Sequence, residues 1–235
     1  MPRTPRWRIQ GAKNGLAIVT LSSWRWFSDW INQELLDYRD YIFRGHASDR
    51  WKLESTLDRL LKTVAPGERT DTARRHLDNF RMAVRGRRGL NPAPLASDDD
   101  WWALGQHHGL ATPLLDWTEI PFAALYFGFN GHNTDGAEHR CVWAINQYAI
   151  PEHNELKKAK LKAKFGPDDE LRLIRPLSDD NARLVSQRGL FVRGPYGIAL
   201  EAAVEDAFAG YTSAPLLKIR IPNKERALCL RSSTG

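Results

Sequence analysis

Residues 97–129 constrain the chain most. Ser97 followed by Asp98, Asp99 and Asp100 marks a helix start, because a serine oxygen accepts bonds from free amides and carboxylates oppose the positive end of the helix dipole. Gly109 is the natural stop. Leu110 to Trp117 then reads as an extended crossing segment, and Pro121 in a first helical turn opens an apolar helix through Phe129, with Thr118 as its cap.

The flanking sequence repeats this interspersion without a regular alternation. Leu16-Ala-Ile-Val-Thr20 suggests a short strand, and Ser23 is placed to cap a helix running to about Asp37, with Trp24, Phe27, Ile31 and Leu35 along its buried face. Tyr41-Ile-Phe-Arg-Gly45 reads as a strand entering a turn, which puts Arg44 at a strand end. A helix is expected from about Glu68 to Val84, and Asn91-Pro-Ala-Pro94 is the clearest loop. Strands are expected at Cys141–Ile145, Leu190–Val192 and Leu216–Ile221, with a lysine-rich helix near 154–164. The expected class is therefore α+β, a mixed and mostly antiparallel sheet with flanking helices, rather than a doubly wound parallel sheet.

With 235 residues, 42% hydrophobic, the chain can bury one substantial core. The expected organisation is an N-terminal extension with a short strand over residues 1–22 and one domain over 23–235. The longest apolar stretch, Ile120 to Phe129, falls short of the roughly 18–20 residues that span a bilayer, and no signal-type apolar region follows the first residues. Neither membrane association nor secretion is expected. Cys141 and Cys229 are too few and too far apart for a disulfide framework or a structural zinc site, so a reducing cytoplasm is the default.

The formal charge of +6 makes polyanions plausible partners. Basic residues gather at Arg3, Arg6 and Arg8, at Arg85, Arg87 and Arg88, and along Lys157–Lys164, in no known nucleic-acid module; solvated surface and nucleic-acid contact both remain open. There is no P-loop, dinucleotide fingerprint, nucleophile elbow or paired-histidine metalloprotease helix. His107 and His108 are adjacent, and side chains about 100° apart around a helix do not converge on one metal. No metal is expected.

Phe43-Arg-Gly45, the run Gly105-Gln-His-His-Gly109 leading to Leu114-Leu-Asp-Trp-Thr118, and a third block of Arg183, Gln187, Gly189 and Phe191 together resemble the FRG domain, a bacterial family named for the tripeptide. The resemblance covers roughly residues 23–228. One departure is that the chain ends at Gly235 without the further helix and apolar-Phe-Pro-Asp segment usual in the family, so it looks like a shortened member.

The resemblance implies positions more than a reaction. The order of blocks is similar, distantly, to ADP-ribosyltransferases, which admits a related core and makes NAD the candidate substrate. On that analogy Arg44 binds a phosphate or ribose, Asp116 and Thr118 shape the pocket, Gln106 and His107 orient substrate, and Arg183 and Gln187 supply the third element. A guanidinium suits this role because it grips phosphate through two parallel bonds. No motif singles out a catalytic carboxylate, although Glu201 and Glu205 are nearby. The implied activity is that of a nucleotide- or nucleic-acid-directed effector of toxin or phage-defence settings; the alternative is a non-catalytic nucleic-acid-binding or interaction module. A structural reading also stands: Asp116 as a helix cap or buried ion pair with Arg44 or Arg183, Gln106 and His107 bonding the last carbonyls of their helix, and Ser55 and Thr56 as a turn or cap.

Overall fold

The computed structural model describes residues 5–35, 37–88, 94–175 and 188–232. Among these are eight strands, β1 (Trp7–Lys13), β2 (Leu16–Leu21), β3 (Tyr41–His46), β4 (Leu114–Thr118), β5 (His139–Asn146), β6 (Arg172–Ile174), β7 (Gly189–Arg193) and β8 (Leu216–Pro222). The helices are α1 (Trp26–Glu34), α2 (Thr56–Leu61), α3 (Arg69–Ala83), α4 (Asp98–His107), α5 (Pro121–Asn130), α6 (Ala149–Leu161), α7 (Leu200–Ala207) and α8 (Arg226–Ser232).

All eight strands form one sheet in the order β1-β2-β8-β5-β3-β4-β7-β6. Only the β2–β8 pair is parallel among the described residues. The expected α+β class, with a mostly antiparallel mixed sheet and flanking helices, is what the chain forms. Part of the 1–22 stretch lies in the same sheet: Trp7–Lys13, not anticipated as a strand, pairs with β2, and β2 pairs with β8.

The central strands are apolar on both faces because both are covered, which replaces simple in–out alternation by continuous runs. Phe43, Val142 and Ala144 face a cluster with Phe27, Trp30, Ile31, Leu125 and Phe129 from α1 and α5. Ile42, Trp143 and Ile145 face the opposite cluster with Ile150 of α6 and Leu200 and Val204 of α7. A third cluster joins α2, α3 and α4 to β4, β6 and β7 through Leu57, Leu77, Trp102, Leu114 and Phe191. Trp102 and Trp117 belong to these cores, at 0% and 3% exposure.

Several boundaries shift from expectation. Ser23 is not the cap residue of α1, which begins at Trp26 after Arg25; its hydroxyl accepts from the Arg25 amide at 3.3 Å and donates to Glu225 at 2.7 Å. That helix stops at Glu34, short of Asp37. Gly45 is not the start of a turn, for β3 continues to His46, and Arg44 lies within the strand opposite Trp143. The glycine is required by α5: a Cβ there would overlap the Ala124 carbonyl oxygen and stand 2.5 Å from the Gly128 nitrogen. Backbone therefore meets backbone at this crossing, and β3 is pinned beneath the helix.

Candidate functional site

The site begins where two neighbouring strands part. β3 and β4 share one paired position, Phe43 with Thr118, so their backbones diverge beyond it. A cleft of about 280 Å³ opens there, lined by Arg44 of β3, Leu114, Leu115 and Asp116 of β4, the Glu54–Thr56 segment and Arg59 of α2, and Gln106, Gly109 and Leu110 at the end of α4.

Arg44 is held on two sides. Its Nε donates to His46 Nε2 at 3.0 Å, and its Nη1 donates to the Asp116 carbonyl oxygen at 2.6 Å. Nη1 also lies 3.6 Å from the Asp116 carboxylate. Burial, and then the charge of Arg44, push the His46 pKa down to about 3, so the imidazole is neutral and offers a lone pair to the guanidinium. Burial likewise lowers the Arg44 pKa, and Asp116 opposes that shift; an arginine so placed stays charged. Among the described residues Nη2 has no acceptor, and the side chain keeps 22% exposure.

A second chain of bonds fixes Asp116. Gln106 Nε2 donates to Asp116 Oδ1 at 2.8 Å, and Thr112 Oγ1 lies within hydrogen-bond reach of Gln106 Oε1. An ionised carboxylate only accepts, so Gln106 must turn its amide nitrogen to Asp116 and its oxygen to Thr112. The Thr112 hydroxyl then donates, and it accepts in turn from the Leu114 amide at 3.4 Å. Thr112 itself is fully buried, whereas the Asp116 side chain is 64% exposed. Asp116 is therefore not a helix cap, and its pair with Arg44 is open to solvent on the aspartate side, where it presents an acceptor to the opening; a pair with Arg183 falls outside the described residues.

The α2 wall is built by its own cap. Ser55 and Asp58 form a reciprocal capping box, with Asp58 N donating to Ser55 Oγ at 3.0 Å and Ser55 N to Asp58 Oδ2 at 3.2 Å. Asp58 also accepts from Gly197 N at 2.9 Å. Burial raises its pKa, and these bonds oppose the rise. Glu54 stands beside this cap with 11% side-chain exposure, its Oε2 bonded to Lys62 at 2.7 Å, and Arg59 donates to the Glu54 carbonyl at 3.0 Å.

Of the residues singled out from sequence, Arg44, Gln106 and Asp116 converge on the cleft. His107 is exposed, with its ring 5.2 Å from that of His108, and does not line it. Thr118 is buried beneath; its hydroxyl accepts from Ile120 N at 3.0 Å, so it braces the strand-to-helix turn, while Ile120 occupies the cap position of α5. Arg183 and Gln187 lie outside the described residues. Glu201 bonds the Leu53 amide at 3.0 Å and Glu205 is exposed; neither lines the cleft. Its carboxylates are Glu54 and Asp116. Glu54, Arg59 and Thr112 were not identified from sequence. Thr112 precedes a proline in the loop before β4, and only the path of that loop reveals its contact with Gln106.

The basic clusters are partly accounted for within the protein. Lys157 and Lys160 both pair with Asp206, and Arg6 pairs with Asp29 while lying 4.5 Å over the Trp26 ring. Among the described residues no group of three or more His, Cys, Asp or Glu side chains could hold a metal ion. No helix of the described residues is long and apolar enough to cross a membrane.

The molecule is thus an α+β protein with a small charged cleft at a strand divergence. Residues 39–137 match the family described as FRG domain. The match contains the Phe43-Arg44-Gly45 and Asp116-Trp117-Thr118 blocks and therefore both sides of the cleft. No curated protein and no solved structure was found to match the chain.

Proposed function

We propose that the cleft binds the phosphate-bearing part of a nucleotide, with NAD as the candidate substrate and ADP-ribosyltransferase-like transfer as the reaction. The observation that carries this reading is the state of Arg44, whose guanidinium is fixed by His46 and the Asp116 carbonyl while Nη2 remains uncommitted among the described residues. A preoriented guanidinium loses little freedom when it grips an anion, and it is the side chain best matched to phosphate.

In such a transfer the bond between the ribose C1′ and nicotinamide breaks, nicotinamide leaves with the electron pair, and positive charge builds on the ribose. An acceptor nucleophile then bonds to C1′ and gives up its proton. A carboxylate near the ribose stabilises that charge, and Glu54 and Asp116 are the two the cleft supplies. An effector of toxin or phage-defence settings would use this chemistry on a protein or nucleic acid.

Thermal unfolding of the wild-type protein with NAD tests the reading. At a hundred times the dissociation constant, ligand linkage contributes about 2.7 kcal/mol, which for a chain of this size raises Tm by roughly 5–10 °C. Labelled NAD should also leave label on a macromolecule of a cell extract. An unchanged Tm together with no transferred label would overturn the proposal and favour a non-catalytic interaction module.

A further inference from the structure

The acceptors of the cleft narrow the ligand further, on the footing that it is a nucleotide. Asp116 Oδ1 is taken by Gln106 Nε2. Oδ2 stands 3.6 Å from Arg44 Nη1, beyond a good hydrogen bond, and the exposed side chain leaves that oxygen able to accept from a ligand. Glu54 has its Oε2 on Lys62, and Oε1 has no donor among the described residues.

A bare phosphate placed on Arg44 would lie beside the Asp116 carboxylate, and like charges at that range repel strongly. The part of the ligand that faces Asp116 must therefore donate hydrogen bonds. The bridging pyrophosphate of a dinucleotide, fully ionised at neutral pH, offers no such donor, whereas a ribose offers two vicinal hydroxyls. The cleft volume of about 280 Å³ lies just below the roughly 300–1,000 Å³ usual for ligand pockets. It suits one nucleoside-phosphate half of a dinucleotide such as NAD, with the other half outside the cleft.

We infer that the cleft selects ribonucleotides: Arg44 Nη2 takes a phosphate oxygen, and Asp116, positioned by Gln106 and Thr112, takes a ribose hydroxyl. The polarity of the Thr112–Gln106 chain makes the test sharp. In Asp116→Asn, Gln106 still presents its amide nitrogen, so the asparagine oxygen turns toward Gln106 and its nitrogen replaces the free acceptor. A hydroxyl then loses its partner while a phosphate loses its repulsion.

The experiment is calorimetric titration of ADP, 2′,3′-dideoxy-ADP and inorganic pyrophosphate into wild type and Asp116→Asn. Wild type should bind ADP at least tenfold tighter than the dideoxy analogue. In Asp116→Asn that preference should fall to within about twofold and pyrophosphate should bind tighter. Asp116 is exposed, so the variant keeps the fold, and the wild-type comparison stands without it. Equal wild-type affinity for ADP and its dideoxy analogue, or an unchanged preference in the variant, overturns the ribose selection and leaves the nucleotide reading in place. No wild-type binding of any of the three removes both.

Discussion

Gly45→Ala is expected to destabilise the protein severely, although Ala is ordinarily the better strand residue. In an open strand the change should gain about 0.5–1 kcal/mol, because glycine loses more backbone freedom on folding. At Gly45 the added carbon overlaps the Ala124 carbonyl oxygen, stands 2.5 Å from Gly128 N and 3.0 Å from Ala124 C. Ordinary contacts are about 3.5–4.0 Å, and all three atoms are helix backbone that no rotamer change can move. α5 must withdraw by about 1 Å or more along β3, which loosens Phe43, Ala124, Leu125 and Phe129 in one core cluster. Overpacking of this kind costs about 1–3 kcal/mol and occasionally more; backbone on both sides puts this site at the upper end, about 3 kcal/mol or above. Urea unfolding reads it directly. Gly11→Ala in β1 is the control, since a Cβ there meets nothing within 4 Å, and it should be neutral or slightly stabilising. A Gly45→Ala protein as stable as wild type would refute the argument that α5 clamps the strand carrying Arg44.

Further outcomes follow from the polar groups around the site. His46 has a folded-state pKa of about 3, below the ordinary 6.5, so its stabilising contribution is full above about pH 6.5 and is lost as pH falls toward 3, at about 1.4 kcal/mol per pH unit. Chemical unfolding at pH 6 and pH 4 should show a fall in stability about 3 kcal/mol smaller in His46→Gln than in wild type; His139 and His153, whose pKa values are also lowered by burial, persist in both proteins and cancel. Equal falls would contradict the neutral His46 acceptor. Thr112→Val should lose about 1–3 kcal/mol, because Gln106 Oε1 is left without its donor, and Thr112→Ser should recover it. A fully stable valine variant would remove the Thr112–Gln106 chain from the account.

How much of this was legible in the sequence depended on whether the signal was local. The Ser97–Asp100 start of α4 was readable because a capping box closes within four residues, and the structure has both of its bonds. Apolar runs located β5, β7 and β8 because those strands are covered on both faces. β1 escaped because its residues are mostly exposed and carry little apolar pattern. The resemblance of the Phe-Arg-Gly, Gln-His-His-Gly and Asp-Trp-Thr blocks singles out Arg44, Gln106 and Asp116; Gly45 reads from sequence as a glycine relieving backbone crowding at a turn, and the crowding is real but comes from α5, about eighty residues onward. The sequence places the α5 cap at Thr118, two positions before the observed cap residue Ile120, since a serine or threonine before a proline helix looks alike whether it caps the helix or braces the turn ahead of it. Glu54 and Arg59 were invisible because the loop that brings α2 to the β3–β4 divergence has no sequence periodicity of its own.

The central claim is that Arg44, braced by His46 and the Asp116 carbonyl, anchors a nucleotide. Calorimetric titration of NAD into wild type and Arg44→Ala, with thermal unfolding of both as the folding control, tests it most directly. The account predicts binding by wild type and at least a hundredfold weaker binding by the folded variant, equivalent to about 2.8 kcal/mol. Equal affinities in two folded proteins would contradict it.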